Sequence, residues 1–488
     1  MFRMFVPAAL VSLCSNVLVP VDAHAATGSP STLFGRPVAP SRELSEVERD
    51  ERRRQFDAML EARGLERHGD VVGPRELFAP SEPNPATQAE WDYPPHRATI
   101  FLNFFGGEMS NGTNSALMES TCIPSNKFDY PGFSGTEAQA LAIIETFVNL
   151  LEPYGVRVAY EKAPPPELPY AMVMMGGTPD LVGLPNGVLG VSCSSDCGDR
   201  WWRDTTLAFT AAASPNQTNT LSTTALHEAA HAFGLAHIDT NQNSPLVMHP
   251  YVDNSPKIWG DQCEEYNAAT GGINCQSTHD YWCAGDAQNT HAELLAYFGP
   301  NGPDTEPPLV EILAPEDGLE LEVGASVELE VAVTDNHDGA GWKLMVYKDD
   351  VLVQEQPTFN FQTKWALSGL PAGTFRLRVE GIDHDRNVGA DEVTLYVGVE
   401  APVPGSSTGD DPTTAGETAD DTGSVPTGSA GDTGQGEGGG SSSTSMPSEE
   451  GEDGCSCLVS GRTVPALAWT VLFAGLVCRR KTRSVSMS

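Results

Sequence analysis

His227-Glu228-Ala229-Ala230-His231-Ala232-Phe233-Gly234-Leu235-Ala236-His237 is the stretch whose reading decides the fold around it. On an α-helix, residues four apart share a face, so His227 and His231 can offer their imidazoles to one metal ion while Glu228 leans toward the same cleft. The His-Glu-x-x-His pattern alone would arise by chance in ~1% of chains this long. Requiring also Gly at the eighth and His at the eleventh position lowers that figure to a few in ~100,000, which makes the longer pattern informative in a single sequence. Gly234 can take a positive φ, end the helix and turn the chain so that His237 reaches the metal. Three neutral imidazoles leave one tetrahedral position for water, whereas a closed structural site needs a fourth protein ligand. The reading is therefore a catalytic Zn2+ centre, in which bound zinc lowers the pKa of water to about 7 and Glu228 takes the proton.

With these residues on the page, the sequence resembles the metzincin metallopeptidases, whose motif H-E-x-x-H-x-x-G-x-x-H is followed by a Met-containing turn. Ser244-Pro245-Leu246-Val247-Met248-His249-Pro250-Tyr251 supplies such a turn, with Met248 eleven residues beyond His237. The resemblance implies that Met248 underlies the metal site. The Met-x-Pro form is similar to the matrixin branch; Pro250 stands where other branches carry Tyr, and the neighbouring Tyr251 is a candidate substrate or transition-state contact. It also implies an α+β catalytic domain with a five-stranded mixed sheet and a zinc helix. One edge strand of that sheet would pair with an extended substrate peptide through main-chain hydrogen bonds. A monomer acting on protein or peptide substrates is expected.

The surrounding pattern agrees with such a domain over residues 97–304. Strand-like runs lie at 99–104, 156–161, 170–175, 187–192 and 206–210, with a helix over 137–151 marked by Leu141, Ile144, Phe147 and Leu151 and stopped by Pro153. The metal-site helix is expected over 223–233 and a closing helix over 290–298. Met172, Met174 and Met175 read as core filler. Trp201-Trp202 can line a cleft or anchor a loop, and His249 reads as a structural hydrogen-bonding residue. Six cysteines, Cys122, Cys193, Cys197, Cys263, Cys275 and Cys283, favour three disulfides in an oxidising compartment, with a local Cys193 to Cys197 bridge as the first guess.

Outside this domain the composition shifts. Residues 1–25, with Arg3, an apolar run and Ala23-His24-Ala25, look like a secretory signal peptide. Residues 26–96 are poor in core residues and read as a pro-segment or linker, largely disordered, with one helix capped by Ser45 and Glu48 and striped by Phe56, Met59 and Leu60 before Gly64. No Cys lies between residues 26 and 121, so a thiol-based latency switch of the matrixin kind has no residue to use.

From 305 to 400 the period changes to two. Val327-Glu328-Leu329-Glu330-Val331 and Phe375-Arg376-Leu377-Arg378-Val379 alternate, and about seven such runs suggest an all-β sandwich. The turn Leu370-Pro371-Ala372-Gly373-Thr374-Phe375 resembles bacterial Ig-like modules, for which a spacer role is expected. Residues 401–454 are an acidic Gly/Ser/Thr-rich stalk. Residues 455–488 hold Cys455-Ser456-Cys457, an apolar run over 464–478 and Arg479-Arg480-Lys481, similar to the myxobacterial C-terminal sorting tail. The basic end places the enzyme outside a bacterial cell, anchored through the tail or processed there. A formal charge of -38 excludes nucleic acid as a partner. The expected function is an exported, surface-displayed zinc endopeptidase. The alternative, a non-catalytic surface adhesion or binding protein on the same frame, has no use for Glu228 beside three ligands.

Overall fold

The structure is a computed structural model that describes residues 45–78, 91, 93–124, 127–212, 216–238, 244–265, 273 and 275–402. The readings of residues 1–25, of most of the stalk and of the tail lie outside the described residues. Among the described residues, no helix is long and apolar enough to cross a membrane.

The chain opens with α1 (Glu46–Ala62), started by the capping box of Ser45 and Glu48. A hairpin follows, β1 (Leu65–His68) and β2 (Val71–Pro74). The strands β3 (Ala98–Asn103), β4 (Gly107–Asn111), β5 (Glu119–Ser120) and β6 (Phe128–Tyr130) precede α2 (Glu137–Leu151), which is capped by the Thr136 hydroxyl. Next come β7 (Val156–Ala159), β8 (Ala171–Met175), β9 (Gly190–Ser192), β10 (Thr205–Ala208) and α3 (Thr218–Ala232). After β11 (Glu264–Glu265), α4 (Gln276–His279) and β12 (Ala287–Gln288), α5 (Thr290–Phe298) closes this α+β region.

One mixed sheet organises it, in the order β1-β2-β9-β10-β8-β3-β7, with β10, β8, β3 and β7 parallel and β9 antiparallel to β10. The central strands are covered on both faces, which is why their sequences are near-continuous apolar runs. Alternation still divides them. Ile100, Leu102, Val173 and Met175 face α2, α3 and α5, while Phe101, Met172 and Met174 face the side on which α1 lies. The five strands expected from the sequence are all present. The sheet nevertheless has seven, because the hairpin of β1 and β2 extends it beyond β9.

Within residues 26–96, the stretch 45–78 is folded and packed rather than disordered. Phe56 and Leu60 of α1 are buried in one cluster with Val72, Val182, Leu184 and Val191, and Arg52 donates to the Leu181 carbonyl at 2.9 Å. Composition missed this because the apolar stripe is narrow, and its complement lies far along the chain.

Three disulfides form: Cys122 to Cys193, Cys197 to Cys275 and Cys263 to Cys283. The local Cys193 to Cys197 bridge is not made. Cys193 belongs to the core on the α1 side of the sheet, whereas Cys197 packs against a separate cluster of Val71, Leu77, Ile273 and Cys275.

The second region is an all-β sandwich. One sheet holds β13 (Leu309–Ala314), β15 (Val327–Thr334) and β18 (Lys364–Leu367). The other has the order β14 (Leu319–Leu321), β20 (Val388–Val397), β19 (Gly373–Ile382), β16 (Gly341–Lys348), β17 (Val351–Pro357). The inward set includes Leu329, Leu344, Leu377, Val379 and Leu395, all fully buried.

The sandwich is fastened to the α+β region. Arg157 grips Asp385 through two bonds of 2.9 Å, Thr99 pairs with His384 at 2.8 Å, and the Arg97 amide donates to the Asp338 carbonyl. Arg157 and Asp385 are both partly shielded from water, at 25% and 18% side-chain exposure. Arg157→Ala is expected to lower stability by about 1–2 kcal/mol, seen as a shifted chemical-denaturation midpoint. An unchanged midpoint would show that the pair contributes nothing.

Candidate metal centre

The site is built on α3, which is buried along almost its whole length from Thr220 to Ala232. Small side chains allow this. Ala225, Ala229, Ala230 and Ala232 let the helix lie close against the sheet, so His227, Glu228 and His231 are held without freedom to swing out.

The helix ends as the sequence required. Gly234 has φ +103°, and a Cβ there would stand 2.6 Å from the Asp196 carbonyl oxygen and 2.9 Å from the Gly198 nitrogen. Both the left-handed conformation and the close approach exclude a side chain. The turned chain brings His237, 2% exposed, back to the helix.

His227 Nε2 lies 3.0 Å from His237 Nε2 and 3.0 Å from His231 Nε2. Two further bonds fix the tautomers. His227 Nδ1 donates to the Val247 carbonyl at 2.8 Å, and His231 Nδ1 to the Leu235 carbonyl at 2.6 Å. Burial pushes the His227 imidazole down to about 4 and His231 well below its ordinary value, so both are neutral at neutral pH. Their Nε2 atoms therefore present lone pairs, not protons, to the point where the rings meet.

A carboxylate is aimed at the same point. Asp70, at the turn between β1 and β2, places Oδ1 3.3 Å from His237 Nε2 and 3.7 Å from His231 Nε2, with Oδ2 3.8 Å from His227 Nε2. Oδ1 is buried, and of the three ring nitrogens His237 Nε2 lies nearest to it. His227, His231, His237 and Asp70 each offer one ligand atom, all close enough together for the set to hold one metal ion. Tetrahedral zinc with nitrogen ligands at about 2.0–2.1 Å spaces them about 3.3 Å apart, close to the separations here.

Glu228 is buried at the wall of the same cleft, and its Oε2 has no hydrogen-bond partner. Burial, helped by the Asp70 charge, raises its carboxyl well above the usual carboxylate range. Gly190 of β9 is pressed against it: a Cβ at that position would come within 2.5 Å of the Glu228 side chain. The cleft has a volume of about 590 Å3 and is bordered by Gly187, Val188, Leu189 and Gly190 on one side and by Pro250, Tyr251 and Val252 on the other.

The family comparison concerns the second region. Residues 308–379 match the bacterial Ig domain family. The sandwich of β13 to β20 is therefore Ig-like. No curated relative matches the chain. Among solved structures, it is similar to fibronectin(III)-like modules of Clostridium thermocellum CbhA at 18% identity, over 18% of this chain and 94% of that one, with a TM-score of 0.16. It is also similar to the PKD domain of human KIAA0319 at 18% identity, over 21% and 89%, with a TM-score of 0.16. The superoxide reductase (neelaredoxin) from Ignicoccus hospitalis matches at 13% identity, over 19% and 80%, with a TM-score of 0.14. At these values the likenesses say nothing of ligand or activity. The three disulfides and the bacterial Ig-like domain are consistent with an extracellular protein.

Of the residues singled out from the sequence, the structure brings together His227, His231, His237 and Glu228. Met248, 1% exposed, lies in the core with α3, and its carbonyl accepts from the Ile238 amide. Tyr251 is 70% exposed at the cleft rim and is not among the converging donors. His249 is buried and hydrogen-bonds the Tyr251 backbone. Trp201 and Trp202 do not border the cleft. Trp202 stacks on His96 at 4.3 Å and meets Phe361 of the Ig-like sandwich, and Trp201 donates to the Thr113 carbonyl. Both are anchors.

Asp70 was missed. Its signal was a Gly-Asp pair between two short runs, the usual chemistry of a two-residue hairpin turn, with Gly69 at φ +60°.

Proposed function

We propose that this chain is an exported, surface-displayed zinc endopeptidase of the metzincin type, with residues 97–304 as its catalytic domain. The observation that carries the reading is the convergence of three Nε2 atoms within about a zinc ion's reach, with the Glu228 carboxyl beside them in an open cleft. A non-catalytic frame would not need a buried carboxyl there, because burying one with an oxygen left unpartnered is costly.

His227, His231 and His237 would hold the ion, which supplies Lewis acidity toward a scissile carbonyl. The rest falls to the protein. Glu228 takes a proton from the attacking water as its oxygen bonds to the carbonyl carbon, and delivers it to the amine nitrogen as the C–N bond breaks. Gly190 keeps the β9 backbone against Glu228, so the base has one position. The Val247 and Leu235 carbonyls hold the rings of His227 and His231 in orientation, and Met248 fills the core behind them. Tyr251 at the rim is available to an extended substrate. Surface display follows from the signal-peptide and tail readings of the sequence.

The test is zinc content together with cleavage of a mixed peptide library, with and without chelator, before and after removal of the segment ahead of residue 91. Cleavage that chelator abolishes and zinc restores is the expected result. Stoichiometric zinc with no cleavage in either form would favour the binding-protein reading.

A further inference from the structure

We infer that Gln288 is a positioning residue of the metal centre: its side-chain amide clamps the Ala236 backbone and thereby sets His231 and His237 together. The inference rests on the zinc reading above and deepens it.

The clamp has two bonds. Gln288 Oε1 accepts from the Ala236 amide at 2.8 Å, and Gln288 Nε2 donates to the Ala236 carbonyl at 2.6 Å. Both residues are buried, Gln288 completely. A buried backbone N–H and C=O each need a partner, and a carboxamide supplies an acceptor and a donor side by side.

Peptide planarity makes Ala236 consequential. Its N–H lies in the same rigid plane as the Leu235 carbonyl, which accepts from His231 Nδ1 at 2.6 Å. Its carbonyl lies in the plane that ends at the His237 nitrogen. Gln288 therefore holds two successive planes, one that orients a ligand ring and one that leads into the next ligand. On either side the backbone is tied elsewhere, the Leu235 amide to the Ala230 carbonyl and the Ile238 amide to the Met248 carbonyl. The clamp fixes the stretch between them.

Gln288 itself stands on a firm base. It pairs with Glu264 across β11 and β12, beside the disulfide of Cys263 and Cys283 that closes this loop. The next residue, Asn289, caps α5 through the Ala292 amide, and its own amide donates to the fully buried Glu293. A plain loop anchor would affect folding and nothing else. The planes shared with two ligands couple this one to the metal.

The test uses the full-length protein as wild type, Gln288→Met and Gln288→Glu. Methionine keeps the length of the side chain without its hydrogen bonds. Glutamate keeps an acceptor for the Ala236 amide but turns a second acceptor toward the Ala236 carbonyl, and it serves in case the methionine variant folds poorly. Arg157→Ala, whose loss of stability arises at the contact with the sandwich, is the control. Zinc affinity is measured by competition with a chromophoric chelator, and the visible bands of the cobalt-substituted proteins report ligand geometry, both where circular dichroism shows the protein folded. Both Gln288 variants are expected to bind zinc about 10–100-fold more weakly, with altered cobalt bands, while Arg157→Ala matches the wild type. Wild-type affinity and bands in a folded Gln288 variant, or an equal loss in Arg157→Ala, would overturn the positioning role and leave the zinc centre standing. Absence of metal from the wild type would overturn both.

Discussion

Glu228→Gln is expected to retain stoichiometric zinc and to lose peptide cleavage by about 10²–10⁴-fold. Glu228 is not among the four donors that converge on the ion position, so the amide leaves metal binding intact. The exchange is nearly isosteric, and Gly190 against the side chain leaves little room for the group to relocate. What is lost is a basic oxygen at the place where a proton must be taken and returned. The comparison should be made on the same form of both proteins, with and without the segment ahead of residue 91. Equal cleavage by the variant would remove Glu228 from the mechanism, and loss of zinc would mean that it supports the site structurally.

Gly234→Ala is expected to cost about 2 kcal/mol or more of stability and to weaken zinc binding by about 10–100-fold. Two penalties act together. The residue sits at φ +103°, a conformation that strains any L side chain, and the added methyl would lie 2.6 Å from the Asp196 carbonyl oxygen. Asp196 and Gly198 are backbone of the loop whose Cys197 is tied to Cys275, so that side of the contact gives little. Relief must come from the chain between His231 and His237, and a shift there moves His237 away from the other two rings. Denaturation and metal competition measured on one sample separate the two effects. Unchanged zinc affinity would mean that His237 is placed independently of the turn.

Much of this site was legible in the sequence because helical periodicity is a local code. His227 and His231 had to share a face with Glu228 beside it, and Gly234 had to break the helix, whatever surrounded them. The strands that became β3, β7, β8, β9 and β10 were visible for a related reason: short apolar runs between turn residues mark a sheet covered on both faces. The start of α3 was less visible, since Thr218 to Thr224 is a run of small polar and β-branched residues with little helical signature. Tertiary packing, not propensity, makes that part helical.

What the sequence withheld were partnerships between distant residues. Phe56 and Leu60 announced an apolar stripe but not the core at Val182 and Val191 that it covers. Arg157 and Asp385 are ordinary surface charges until the sandwich brings them together. The cysteines showed their number and not their pairing, and Asp70 looked like a turn residue because a turn is what its neighbours encode. Its aim at three histidines depends on how β2 docks on β9, a long-range contact with no periodic trace.

The most direct test of the central claim is zinc-edge X-ray absorption on the full-length protein, with metal analysis of the same sample. The account predicts one zinc per chain, bound by three imidazole nitrogens at about 2.0–2.1 Å and a fourth light-atom ligand, with sulfur absent from the coordination shell. A protein without zinc, or one whose zinc is held by cysteine sulfur, would contradict it.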